Sequence, residues 1–173
     1  MIMAKSLVLS VSVETGCYRH IRIGESATLF TLSSTILSAF NFYDDHLHSF
    51  FMNNRAWDQD AEFVCPSSDL DGALGYTDKV RLSKFSLFKG AKFLYIFDYG
   101  DEWRFSIKVL RVIDEPTIRP EILKSVGRIS QYGDDDDDDD YENDDDNGDD
   151  DDDVDDGTDD GGDGDDGNDG DDF

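Results

Sequence analysis

Lys92-Phe93-Leu94-Tyr95-Ile96-Phe97-Asp98-Tyr99-Gly100-Asp101-Glu102-Trp103-Arg104-Phe105-Ser106-Ile107-Lys108-Val109 is the stretch on which the fold turns. After Lys92 it is apolar on both faces, the pattern of a strand buried in the middle of a sheet. Tyr99-Gly100-Asp101 supplies turn chemistry, with Asp98 or Asp101 accepting backbone N–H bonds while Gly100 takes a positive φ. Beyond the turn, Trp103, Phe105, Ile107 and Val109 alternate with Arg104, Ser106 and Lys108. That is the period of a strand with one wet face, so the segment predicts an antiparallel hairpin around a central strand.

Working outward, Leu7, Leu9, Val11 and Val13 alternate with Ser10 and Ser12, Thr15-Gly16 offers a turn, and residues 17–23 read as a second strand. Ile21 and Ile23 face inward there and His20 and Arg22 outward, which makes another hairpin. From Thr28 the period changes. Leu29, Leu32, Ile36 and Phe40 recur at helical spacing, with Ser26 or Thr28 as N-cap. The Ser and Thr content makes this helix, residues 28–41, intrinsically weak, so packing on the sheet must sustain it. Residues 46–52 read as a third strand and 53–79 as a long polar excursion. Residues 80–88 fit a short strand or a helical turn equally well. Pro116 and Pro120 end regular structure, and 121–132 fit a short helix or an extended packing segment. The sum is an α+β domain: a mostly antiparallel sheet with one covering helix.

The charge is distributed as two different polymers. The whole chain of 173 residues carries a formal net charge of −27, yet residues 1–133 hold 15 basic against 16 acidic residues, a net of −1. Residues 134–173 hold the other 26 acidic residues and no Lys or Arg, with Tyr141, Val154 and Phe173 as their only apolar groups. Such a composition cannot offset an ordering entropy of ~1–2 kcal/mol per residue, so a disordered acidic tail is expected after one domain spanning 1–133. No run approaches the ~20 apolar residues of a membrane span. The start lacks the cleavage pattern of a signal peptide, and Cys17 and Cys65 have neither metal nor redox spacing. A cytoplasmic location with two reduced thiols is the expectation.

Three segments together resemble the plasmid pRiA4b ORF-3-like family, which also includes passenger proteins of certain insertion elements. They are Tyr18-Arg19-His20-Ile21, the run from Ala39 through Asn41-Phe42-Tyr43-Asp44-Asp45-His46-Leu47-His48 to Phe50, and Tyr95-Ile96-Phe97-Asp98-Tyr99-Gly100-Asp101-Glu102-Trp103. The last is similar to the family's Asp-Phe-Gly-Asp-x-Trp. The resemblance covers about residues 5–132 and implies a compact α+β fold, an association with mobile elements and no settled activity. Two departures stand out. Leu32-Ser33 occupies the place of a frequent Leu-His, and Phe105 stands where a His often follows the Trp by two residues. Both remove histidines on which a shared chemistry could rest.

His46 and His48, two apart on a strand, share a face, and with Asp98 and Asp101 they make a candidate metal site of imidazole and carboxylate. Asp98, Asp101 and Glu102 crowd one turn, where paired carboxylates can serve as acid and base or hold a hard cation. The structural alternative is a turn held by Asp98, with one His packed under aromatics. No catalytic set is legible, because Cys17 and His20 point to opposite faces of one strand and no phosphate loop is present. No cofactor is implied. Arg19, Arg22, Arg104, Lys108 and Arg111 lie partly on outward strand faces, but a net charge of −1 is a poor footprint for direct nucleic-acid binding.

The acidic segment carries its own expectation. An extended chain advances ~3.3–3.6 Å per residue, so the Asp run 134–140 spaces charge much as a DNA strand spaces phosphates, at ~3.4 Å. Nucleic-acid mimicry towards a basic protein partner is thus physically open to residues 134–173, and the plainer reading is a solubilising, self-repelling tail with no dedicated partner. The reading as a whole is a noncatalytic interaction or accessory module. A metal-dependent enzyme using turn 98–102 with His46 and His48 is its rival.

Overall fold

In the computed structural model, residues 4–133 are described, and everything below concerns them. The 133/134 boundary, the expected disorder and the acidic segment itself lie outside these residues. Eight strands form one sheet: β1 (Ser6–Glu14), β2 (Cys17–Gly24), β3 (His48–Phe51), β4 (Glu62–Val64), β5 (Gly75–Tyr76), β6 (Lys92–Phe97), β7 (Trp103–Ile113) and β8 (Glu121–Val126). Their order is β5-β4-β3-β6-β7-β1-β2-β8, and every pairing is antiparallel except β4 with β5. The helix α1 (Leu29–Ala39) covers one face.

The alternation of β1 and β7 places Leu7, Leu9, Val11, Phe105, Ile107 and Val109 beneath α1, where they meet Leu29, Leu32 and Ile36 in the main core. Thr28 is the helix cap: its side-chain oxygen accepts the Thr31 N–H at 3.1 Å. The helix then carries Ser33, Ser34, Thr35 and Ser38 only because the sheet buries its apolar stripe. A smaller cluster of Phe51, Leu94 and Ile96 lies on the opposite face, which explains why β6 reads apolar on both sides.

Several local expectations change. The third strand is shorter than 46–52, running from His48 to Phe51, because Leu47 precedes it as a loop residue whose carbonyl accepts the Asp98 N–H at 2.8 Å. The excursion 53–79 contains β4 and β5, three and two residues long, too short to leave a periodic signal. Residues 80–88 resolve into a 3₁₀ turn, Leu82–Phe85. Residues 121–132 begin as β8, paired with β2, rather than as a helix. Exposure on both faces erased its alternation.

Candidate functional site

The hairpin turn is built by Asp98. β6 ends at Phe97, directly opposite Trp103 on β7. Asp98 then takes φ 62, and its Oδ1 accepts the N–H groups of Gly100 at 3.0 Å and Asp101 at 3.3 Å. Asp tolerates this left-handed conformation because its short side chain bonds the local backbone. Glu102, at φ 49, donates its N–H to the Asp98 carbonyl at 2.6 Å. Positive φ therefore falls on Asp98 and Glu102, and not on Gly100 as the turn chemistry suggested. A Cβ at Gly100 would meet only Asp98 Oδ1, at 3.4 Å, about an ordinary contact distance.

The other Asp98 oxygen faces His46. Oδ2 lies 3.4 Å from His46 Nε2, and Asp45 Oδ1 approaches the same nitrogen at 3.5 Å. The imidazole packs edge-on against Phe97, 5.9 Å between ring centres. Asp45 is held from behind by Gln131, whose Nε2 donates at 3.1 Å, and by the Tyr132 hydroxyl. That hydroxyl holds the Asp45 carboxyl below its usual range, and the same bond pushes the Tyr132 phenol up to about 12. Gln131 also grips Tyr43, accepting its N–H at 2.7 Å. The segment after β8 is thereby stitched to the loop entering β3. Asp101 is exposed and reaches no side-chain partner among the described residues.

A cleft of about 570 Å³ opens beside this cluster, lined by Phe30, Asp44, Asp45, His46, His48 and Cys65 among others. His48 forms its floor and belongs to a buried network. Its Nδ1 meets Ser33 Oγ at 3.3 Å and its Nε2 meets Thr77 Oγ1 at 2.9 Å, while Ser33 also bonds the Tyr95 hydroxyl at 2.7 Å. Burial lowers the His48 pKa to about 4 and raises that of Tyr95, so both are neutral near pH 7. The structure thus joins His46 to Asp98 and Asp45 at the rim, and engages both ring nitrogens of His48 below. Among the described residues, no three His, Cys, Asp or Glu side chains converge so as to hold a metal ion.

Both departures from the family pattern meet at Tyr95. Ser33 bonds its hydroxyl, and Phe105 packs on its ring at 5.5 Å. Arg19 is a further correction, because it is buried rather than outward. Its guanidinium donates to the carbonyls of Ala39, Tyr18, Val126 and Gly127 and lies 4.4 Å from the centre of the Phe40 ring. It caps the C-terminus of α1, where the helix dipole favours a cation. Its phase in β2, shared with Ile21 and Ile23, was the signal that placed it inside.

A family model described as plasmid pRiA4b ORF-3-like protein matches residues 7–147. Among solved structures, the chain is similar to a protein of unknown function, MM3350 from Methanosarcina mazei Go1, with a TM-score of 0.54 and 20% identity over 71% of this chain and 70% of that one. At that identity the likeness concerns the fold. No curated protein matches the chain.

Proposed function

The chain belongs to the plasmid pRiA4b ORF-3-like family, and from that premise we propose that its folded domain is a noncatalytic interaction or accessory module. The observation that carries the reading is how the reactive side chains are employed. Asp98 spends one oxygen on the turn and the other on His46, and His48 is enclosed by hydroxyls and rings. At the two family histidine positions stand Ser33 and Phe105, which pack Tyr95. What faces solvent is a rim of carboxylates, Asp44, Asp45 and Asp101, beside an open cleft. Such a rim suits a basic partner. The acidic segment 134–173 extends the same preference in sequence and supports a basic protein as its partner. A cytoplasmic setting and an accessory role to a mobile element complete the proposal, on the strength of the sequence and the family resemblance.

Affinity capture with the full chain tests it. Partner recovery should fall in an Asp44→Asn, Asp101→Asn double variant whose thermal unfolding is unchanged. Metal-dependent hydrolysis abolished by Asp101→Asn, with the fold intact, would sink the reading. One observation favours the rival metal-dependent enzyme, namely His46 held between two carboxylates. Elemental analysis separates the two: stoichiometric zinc, manganese or iron supports the rival, and its absence counts against it.

A further inference from the structure

The face of the sheet away from α1 carries a second pocket, about 430 Å³, whose lining includes Glu62, Asp69, Asp71, Trp57 and Tyr99. Glu62 sits opposite Phe51 in the β3–β4 register and so points to this face, while its neighbour Phe63 enters the main core. It is only 8% exposed. Its carboxylate accepts one hydrogen bond, from Ser49 Oγ at 2.7 Å, and Ser49 in turn contacts the Tyr99 hydroxyl at 2.6 Å. Among the described residues, the second carboxylate oxygen has no hydrogen-bond partner and no Lys, Arg or His lines the pocket. A deeply set carboxylate with a single neutral donor leaves its open oxygen free to make a charge-assisted hydrogen bond to a cation entering the pocket.

The walls have the matching chemistry. Trp57 and Tyr99 meet edge to face, 5.3 Å between ring centres at 79°. Trp57 also packs on Phe51 at 5.6 Å. Its backbone is held at φ 62 in a loop fastened by Asn53 to Asp58 and by Asp58 to the Asp60 N–H. The indole is therefore positioned by the loop and the Phe51 contact together, and it is still 41% exposed towards solvent. Aromatic faces beside a carboxylate attract organic cations through quadrupole and charge at once.

We infer that this pocket binds an organic cation, an alkylammonium or guanidinium head group, with Glu62 as its counter-ion and Trp57 and Tyr99 as its aromatic wall. Asp69 and Asp71, both exposed at the mouth, draw the cation in. The head group can belong to a Lys or Arg side chain of a polypeptide or to a free small molecule. The first source deepens the interaction-module reading and rests on it, whereas the second stands without it.

The test titrates the full chain with methylguanidinium, tetramethylammonium and uncharged methylurea, following tryptophan fluorescence in about 150 mM salt, which screens the acidic segment. The expected result is a saturable change with at least one cation, none with methylurea, and no such change in Trp57→Phe. Glu62→Gln should weaken the binding about tenfold, the loss of roughly one charge-assisted contact. Equal binding by Glu62→Gln, or equal response to methylurea, would overturn the inference. If Glu62→Gln unfolds the domain, the exposed pair Asp69→Asn and Asp71→Asn serves instead, and an undiminished affinity there overturns it. A Gly-Arg-Gly or Gly-Lys-Gly peptide binding more tightly than the isolated head group assigns the cation to a polypeptide. Head-group binding without that gain keeps the site and removes its support for the module reading.

Discussion

His48 should make this domain lose stability as the pH falls through a window set by its burial. In the folded state its pKa lies at about 4, against 6.5 for a solvated imidazole. The folded state therefore disfavours the proton that the unfolded state accepts. Above about pH 6.5 both states hold a neutral ring and nothing is lost; between about 6.5 and about 4 the unfolded state binds more protons, and stability declines. Integrating between about pH 7.5 and about pH 5 gives a loss of ~2 kcal/mol from this one group, saturating near ~3.4 kcal/mol below the folded pKa. The cause is geometric. His48 is 2% exposed, both ring nitrogens face hydroxyls of Ser33 and Thr77, and no carboxylate joins it in that network. Urea denaturation of the wild type and of His48→Gln, at both pH values, isolates the effect, since all other titrating groups are common to the two proteins. With a slope of ~1.5 kcal/mol per molar, the wild-type midpoint should drop about 1 M further than that of the variant. The His48 ring resonances should also stay unshifted down to about pH 5. Parallel pH dependence in the two proteins would refute the reasoning, because it would mean that His48 titrates in the fold as it does in the unfolded chain.

Arg19→Lys should cost ~2–4 kcal/mol in urea unfolding: one ammonium cannot serve carbonyls on α1, β2 and the end of β8 together, and buried acceptors left bare are penalised. Asp98→Ala should destabilise the hairpin by ~1–2 kcal/mol through loss of two N–H acceptors, whereas Asp98→Asn should retain most of that amount and lose only the charge facing His46, a contrast visible in their thermal midpoints. Gly127→Ala should be among the worst single changes, at least ~2 kcal/mol, since φ is +76 and the new methyl would collide with the Gly16 carbonyl and lie 2.8 Å from Cys17 Cα. Gly90→Ala, at φ +93 but with open space around it, should cost about 1 kcal/mol, and the difference between the two melting curves measures the collision alone.

Residue patterning carries information only where burial is one-sided and the element is long. β1 and β7 satisfy both conditions, so their alternation gave strand, phase and core face, and α1 declared itself by a change of period. β8 fails the first condition, because Glu121 to Ser125 is exposed and the strand is paired with β2 with no buried side chain of its own. β4 and β5 fail the second. The same two conditions decide what could be known of the sites. Asp98 was legible because a turn concentrates its signal in five consecutive residues, although which of them would take positive φ depended on the carboxylate's choice of partners. His46 and His48 share a strand phase in sequence, yet one is at the rim with Asp98 and the other is sealed beneath Phe30 and Tyr95, a distinction made by α1, fifteen residues away at Ser33. Glu62 was invisible for the converse reason. Nothing near it in the chain marks a buried acid. Its environment is assembled from Ser49 on β3, Tyr99 in the 98–102 turn and Trp57 in a loop, three segments that only the sheet brings together. A carboxylate whose burial depends on three distant segments reports the fold's geometry rather than its local sequence. It is therefore the residue at which a binding measurement tells most about what the fold was built to hold.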